Sequence, residues 1–330
     1  MPVFRIHSVT AAVLLFALAM QARISDRIAP VQAGPSQTVV VAADGSGDFR
    51  TIQMAIDHAP PSGSGRLIIR IQPGIYRERV YVPQDRPRVT FLGKEAASTV
   101  ITYNMSAASA GGTFFSSTVI VQGAEFEAEN ITFENSFGIG SQAVALHIHS
   151  DRAAFRNCRF SGWQDTLYAA LGRQYYRECF IEGHVDFIFG NATAVFDHCE
   201  IHSRGAGYVT AESRTTPDGP GGYVFYRCRL TGDNTGTGVY LGRPWRPYSR
   251  VVYLECWMGG HIRPEGWNNW GNAENEKTAC YGEFGSEGPG ADAARRVPWA
   301  RKLSVEDIAP FNPEAFLRGN DNWNPTVPHP

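Results

Sequence analysis

Short apolar segments rich in β-branched and aromatic residues run along most of the chain, each closed by glycine, proline or a polar turn. Leu67-Ile68-Ile69, Val80-Tyr81-Val82, Val89-Thr90-Phe91-Leu92 and Val100-Ile101 are the first of them, and such punctuated runs predict strands. One stretch has a different period: Ile52, Ala55, Ile56 and Ala59 recur at helical spacing, which predicts a short amphipathic helix over residues 51–58. Across residues 119–258 the strand segments become periodic. The positions Asn130, Cys158, Cys179, Cys199, Cys228 and Cys256, read as equivalent, stand 28, 21, 20, 29 and 28 residues apart. Periods of this size mark stacked supersecondary units, and unequal spacing means that loops of variable length leave regular strands on one face, where they build a cleft. The expected fold is an all-β parallel solenoid. The helix would cap its open end, and a Trp-, Pro- and Gly-rich tail after about residue 259 would pack outside the stack.

The chain has 330 residues, 43% of them hydrophobic, enough for one sizeable core, and its 34 glycines suit a turn-rich β protein. A single domain is expected over residues 38–322, preceded by a signal peptide at 1–22 and a lead-in at 23–37 and followed by a mobile tail at 323–330. The signal-peptide reading rests on Arg5, the apolar run 9–20 and small-residue sites at Ala17-Leu18-Ala19 and Met20-Gln21-Ala22. The run is short for a bilayer span, which sets this reading ahead of an uncleaved anchor. The protein is therefore expected to be secreted, extracellular or periplasmic, with no membrane as partner. A net charge of −2 gives no electrostatic reason to expect nucleic acid. A capped monomer is the default.

Secretion permits disulfides, and six cysteines invite them. Five of the six share one repeat offset, however, and so read as an inward-facing ladder. In-register parallel neighbours lie about 4.8 Å apart, wider than the roughly 3.5–4.5 Å Cβ separation a disulfide needs. A mostly reduced ladder is expected.

The candidate chemistry lies inside the same repeat. Cys158-Arg159-Phe160-Ser161-Gly162-Trp163-Gln164-Asp165 aligns without a gap on Cys179-Phe180-Ile181-Glu182-Gly183-His184-Val185-Asp186, a Cys-x3-Gly-x2-Asp frame recurring after 21 positions. On consecutive coils Asp165 and Asp186 become neighbours about 4.8 Å apart. Two carboxylates so close cannot both ionise freely, so one stays protonated while the other carries charge. An isolated Asp in a turn usually serves turn amides, but Asp186 has Val185 and Phe187 on either side, where an unpaired charge is costly. Arg243, in Leu241-Gly242-Arg243-Pro244-Trp245, is the candidate partner, since its fork can hold a carboxylate by two bonds. Gln142 and Gln164 are candidate oxyanion donors. No Gly-x-Ser-x-Gly occurs for a serine esterase, and His147-x-His149 lacks a third zinc ligand. The residues alone leave open an ester hydrolase, a retaining glycosidase and a non-catalytic carbohydrate-binding solenoid.

Four segments in order, Gln142-Ala143-Val144-Ala145-Leu146, Gly162-Trp163-Gln164-Asp165-Thr166-Leu167, Asp186-Phe187-Ile188-Phe189-Gly190 and Leu241-Gly242-Arg243-Pro244-Trp245, resemble the signature segments of the pectin methylesterases. Gly74-Ile75-Tyr76-Arg77-Glu78 and Asp44-Gly45-Ser46-Gly47-Asp48-Phe49 are similar to earlier segments of that family, and the resemblance covers about residues 39–270. It implies a right-handed parallel β-helix that removes methanol from methyl-esterified galacturonan, with pectin as partner and neither metal nor organic cofactor. By the same resemblance Asp186 is the nucleophile, Asp165 the general acid and then base, Gln142 and Gln164 hold the oxyanion, and Arg243 orients Asp186. Trp245, Tyr168 and Phe189 would offer sugar-stacking surface. Thr113 is a further substrate-binding candidate, in Gly111-Gly112-Thr113-Phe114-Phe115, which departs from the Thr-Thr-Phe of plant relatives. An inhibitory pro-domain like that of many plant forms is not expected.

Overall fold

The computed structural model describes residues 34–59, 65–233, 236 and 238–327. The expected signal peptide and all of the lead-in before residue 34 lie outside the described residues. Strands dominate, and every strand pairing is parallel. One sheet stacks eleven strands from Gln37–Val41 to Arg301–Lys302. The other holds thirteen and consists of two stacks that share the long, bent strands Phe180–Gly190 and Glu200–Glu212. Phe180–Gly190 pairs its first part with Arg159–Ser161 and its last with Leu167–Leu171, so one strand passes around a corner of the coil. The result is a parallel β-helix.

Why these segments stack is visible in the interior. Phe155, Tyr176, Phe196, Phe225 and Tyr253 occupy one register position on successive coils and stack face to face, with ring centroids 4.9, 4.8, 4.5 and 4.4 Å apart and planes within 11° of parallel. The coil repeat thus matches the offset stacking distance of aromatic rings, and each ring covers the next. All five are buried.

The cysteines form a second interior ladder. Cys158, Cys179, Cys199, Cys228 and Cys256 are buried thiols, and each Sγ donates to a main-chain carbonyl of the preceding coil: Ala128, Phe155, Tyr176, Phe196 and Phe225, at 3.1–3.7 Å. Among the described residues none is bridged; Cys280 lies off the ladder, paired in register with Arg250. One alignment is corrected. Arg159 pairs with Thr132, so the member before Cys158 is Ile131, which is buried. Asn130 is equivalent to Asn157 and belongs to a different ladder, that of Asn130, Asn157, Glu178, His198, Arg227 and Glu255, all left-handed with φ of 51–59°. This residue turns the chain at the same corner of these six coils.

Two sequence segments prove to be scaffold. The helix Ile52–His58 starts where Thr51 Oγ1 accepts from Met54 N–H, and Glu78 accepts from the Ile52 and Gln53 N–H groups at 2.9 and 3.0 Å, filling a helix terminus that would otherwise lack partners. Its Ile52, Ala55 and Ile56 join the core. Tyr76 Oη donates to the Gln72 carbonyl. The segment holding Tyr76 and Glu78 therefore organises the N-terminal end. At the other end, Leu303, Ile308, Phe311, Phe316, Leu317 and Trp323 cover the outward side chains Tyr175, Val195, Val224, Val252 and Leu254 of the eleven-stranded sheet. Among the described residues no helix is long and apolar enough to cross a membrane.

Candidate active site

Asp165 and Asp186 stand in register. Leu167 pairs with Ile188 and Tyr168 with Phe189, which places the two aspartates opposite each other on consecutive coils. The repeat's glycine makes this approach possible: a Cβ on Gly183 would lie 2.3 Å from Phe187 Cβ and 2.6 Å from the Trp163 carbonyl. His184 N–H donates to that carbonyl and Asp165 N–H to the Val185 carbonyl, stitching the two loops together. Asp186 falls where the strand register breaks, between Val185 and Ile188, and such irregularities re-aim a side chain. Both aspartates have left-handed backbone.

Arg243 closes on Asp186 as a fork. Its Nε donates to Oδ1 at 2.9 Å and its Nη2 to Oδ2 at 2.6 Å, with side chains only 20% and 8% exposed. The arginine's strand end is pinned: Arg243 N–H donates to Thr210, Trp245 N–H to Glu212, and Asn268 N–H to Gly242. Burial raises the Asp165 carboxyl well above its ordinary value, the Asp186 charge pushes the same way, and Arg243 pulls back. Burial also raises Asp186, but there the Arg243 hydrogen bonds and charge, with a smaller pull from His184, hold the rise down. The pair is thus split, with Asp165 the stronger proton holder.

A cleft of ≈ 330 Å³ lies over these groups, lined by Gln142, Gln164, Asp165, Asp186 and Arg243, and by Thr113, Phe189 and Trp245. Gln142 and Gln164 belong to one chain of main-chain bonds: Ala107 N–H donates to Gln142 and Ala143 N–H to Gln164. Tyr168 is placed differently. It is stacked between Phe114 at 4.8 Å and Phe189 at 4.5 Å and is not itself one of the residues lining the cleft. Phe114, Ala211 and Trp270 line the cleft as well, and the sequence reading did not single them out. Phe114 follows Thr113 directly, so the chain motif pointed near it; Trp270 sits in the tail, where no repeat signals its position. His147 packs beside Tyr168 with ring centroids 4.5 Å apart; burial, aided by His149, lowers its pKa to about 4. Among the described residues no group of three or more His, Cys, Asp or Glu side chains is arranged to hold a metal.

A family model for pectinesterases matches residues 38–320. Pectinesterase 31 of Arabidopsis thaliana is 48% identical over 293 residues, which cover 86% of this chain and 92% of that protein. The solved pectin methylesterase from carrot superposes with a TM-score of 0.84 at 39% identity, covering 88% of this chain and 97% of its own. A pectin methylesterase solved in complex with a hexasaccharide gives a TM-score of 0.75 at 29% identity, covering 88% and 98%.

Proposed function

The chain belongs to the pectinesterase family and hydrolyses the methyl esters of pectin, and on that premise we propose that Asp186 is its nucleophile and Asp165 its acid and base. The observation that carries this reading is the Arg243 fork on Asp186 beside an Asp165 that, among the described residues, has no such partner. A fork stabilises the charged form of one carboxylate, and burial together with that carboxylate's negative charge keeps the next one protonated.

The chemistry then balances. An Asp186 oxygen adds to the ester carbonyl carbon, and the electron pair displaced onto the carbonyl oxygen is met by the Gln142 and Gln164 amides lining the cleft. Collapse breaks the bond to the methoxy group, which takes the Asp165 proton and leaves as methanol. An anhydride between Asp186 and galacturonate remains. Water adds to the galacturonate carbonyl and gives a proton to Asp165, and the Asp186 carboxylate departs, restoring both groups. Trp245 and Phe189 give the cleft apolar faces suited to sugar rings, and Thr113 a hydroxyl. We read the enzyme as a secreted monomer that acts without metal or organic cofactor, its right-handed helix capped by Ile52–His58 and its C-terminal tail laid along the outside.

The test is methanol and reducing ends measured together on methylated pectin. Methanol without new reducing ends is expected, and its loss in Asp186→Asn and Asp165→Asn assigns it to this pair. Reducing ends without methanol would point to a glycosidase instead.

A further inference from the structure

Arg243 is held on both faces as well as along its edge. The ring centroids of Tyr208 and Trp270 each lie 3.8 Å from its guanidinium carbon, and because these two rings make no contact with each other they flank it from different sides. Behind Tyr208 the stack continues. Tyr240 lies parallel to it at 5.3 Å, on the paired strand Val239–Gly242, and the Arg263 guanidinium lies 4.9 Å from the Tyr240 ring. On the other side, Trp270 has a left-handed backbone (φ 62°) and donates its N–H to Asn268 Oδ1, while Asn268 N–H donates to Gly242. Asn275 Nδ2 donates to Asn269 O and Pro244 O at 3.1 and 3.5 Å. The loop carrying Trp270 is therefore tied to the residues on either side of Arg243.

We infer that Tyr208 and Trp270 are positioning residues, an aromatic clamp that fixes the guanidinium plane while Asp186 passes between carboxylate and acyl-enzyme. The inference rests on the reading of Asp186 as nucleophile. When Asp186 forms the anhydride it loses its charge, and Arg243 loses its counter-ion in a half-closed site. A guanidinium freed there would turn toward water and would have to be recovered before Asp186 could leave again. Ring faces carry negative quadrupole density and hold a cation without accepting a proton from it. With rings on both sides, the only easy motion left to the group is rotation within its own plane, which keeps the fork aimed at Asp186.

Tyr208 gives the clean test, because Trp270 lines the cleft whereas Tyr208 is not among the lining residues. In Tyr208→Leu, kcat should fall about two- to thirty-fold, the range of one cation–π contact, with KM nearly unchanged. Tyr208→Phe keeps the ring and should recover most of that loss. Asp186 is faced by Arg243, Asp165, His184 and the Tyr281 phenol; only the first is loosened, so the acid limb of kcat/KM should move to higher pH in Tyr208→Leu. A folded Tyr208→Leu enzyme with wild-type kcat and an unmoved acid limb would overturn the clamp. If that variant does not fold, Trp270→Leu decides: a shifted acid limb supports the clamp, and a raised KM with the limb in place marks Trp270 as a sugar platform only and overturns it. Activity surviving in Asp186→Asn would instead remove the premise.

Discussion

Asp165 and Asp186 hold the same register position on consecutive coils and the same left-handed backbone, with φ of 64° and 51°. Most L residues pay roughly 1–2 kcal/mol for that conformation, and Asp and Asn tolerate it best. Asparagine is thus the substitution that isolates charge from fold.

Asp165→Asn should lower methanol release by about 10²–10⁴-fold, the range for a lost general acid, and Asp186→Asn by at least as much. Circular dichroism should match the wild type in both. An active, folded variant at either position would remove that residue from the chemistry.

The same substitution at 165 should raise stability at neutral pH. Asp165 is raised in the fold far above 3.8. Below pH 3.8 both folded and unfolded states hold the proton and stability is full; as pH rises, the unfolded chain ionises first, so stability is lost up to the folded pKa. Asp165→Asn removes that loss. Its urea midpoint should exceed the wild type at pH 7 and equal it near pH 3; equal midpoints at both pH values would contradict the burial argument.

Arg243→Ala leaves Asp186 buried without its partner. Breaking such a pair costs about 3–5 kcal/mol, so thermal midpoint and turnover should both fall. Arg243→Lys should recover little, because a point charge does not reproduce the fork. A lysine variant with full activity would show that the two-bond geometry is dispensable.

Gln142→Ala and Gln164→Ala test the oxyanion role. Each should reduce kcat by about 10²–10³-fold with little change in KM. A rise in KM alone would make the glutamines sugar contacts.

How much of this was legible depends on what each residue does. The Cys-x3-Gly-x2-Asp frame carried the aspartate pairing because each part has a fixed cause: the thiol reaches the preceding coil, Gly183 permits backbone approach, and the aspartate follows at the register break. The spacing reads Asn130 onto the cysteine ladder, one residue before its true member, Ile131. The left-handed corner it occupies is filled elsewhere by Asn157, Glu178, His198, Arg227 and Glu255, a set with no shared side-chain chemistry for a sequence to display. Trp270 and Tyr208 were out of reach for another reason. They meet Arg243 only after a loop and a strand fold around it, and no spacing in the chain records that meeting. Tyr168 shows the converse: its outward position in register with Phe189 followed from the repeat, whereas its cover, Phe114, comes from a loop.

The central claim is that Asp165 keeps its proton in part because Asp186 is charged beside it. Carboxyl titration by difference infrared spectroscopy, on the wild type and on Asp186→Asn, measures this directly. The Asp165 pKa should lie above that of a free aspartate in the wild type and fall when the Asp186 charge is removed. An Asp165 pKa that stays where it was would contradict the pairing of the two aspartates and the division of roles built on it.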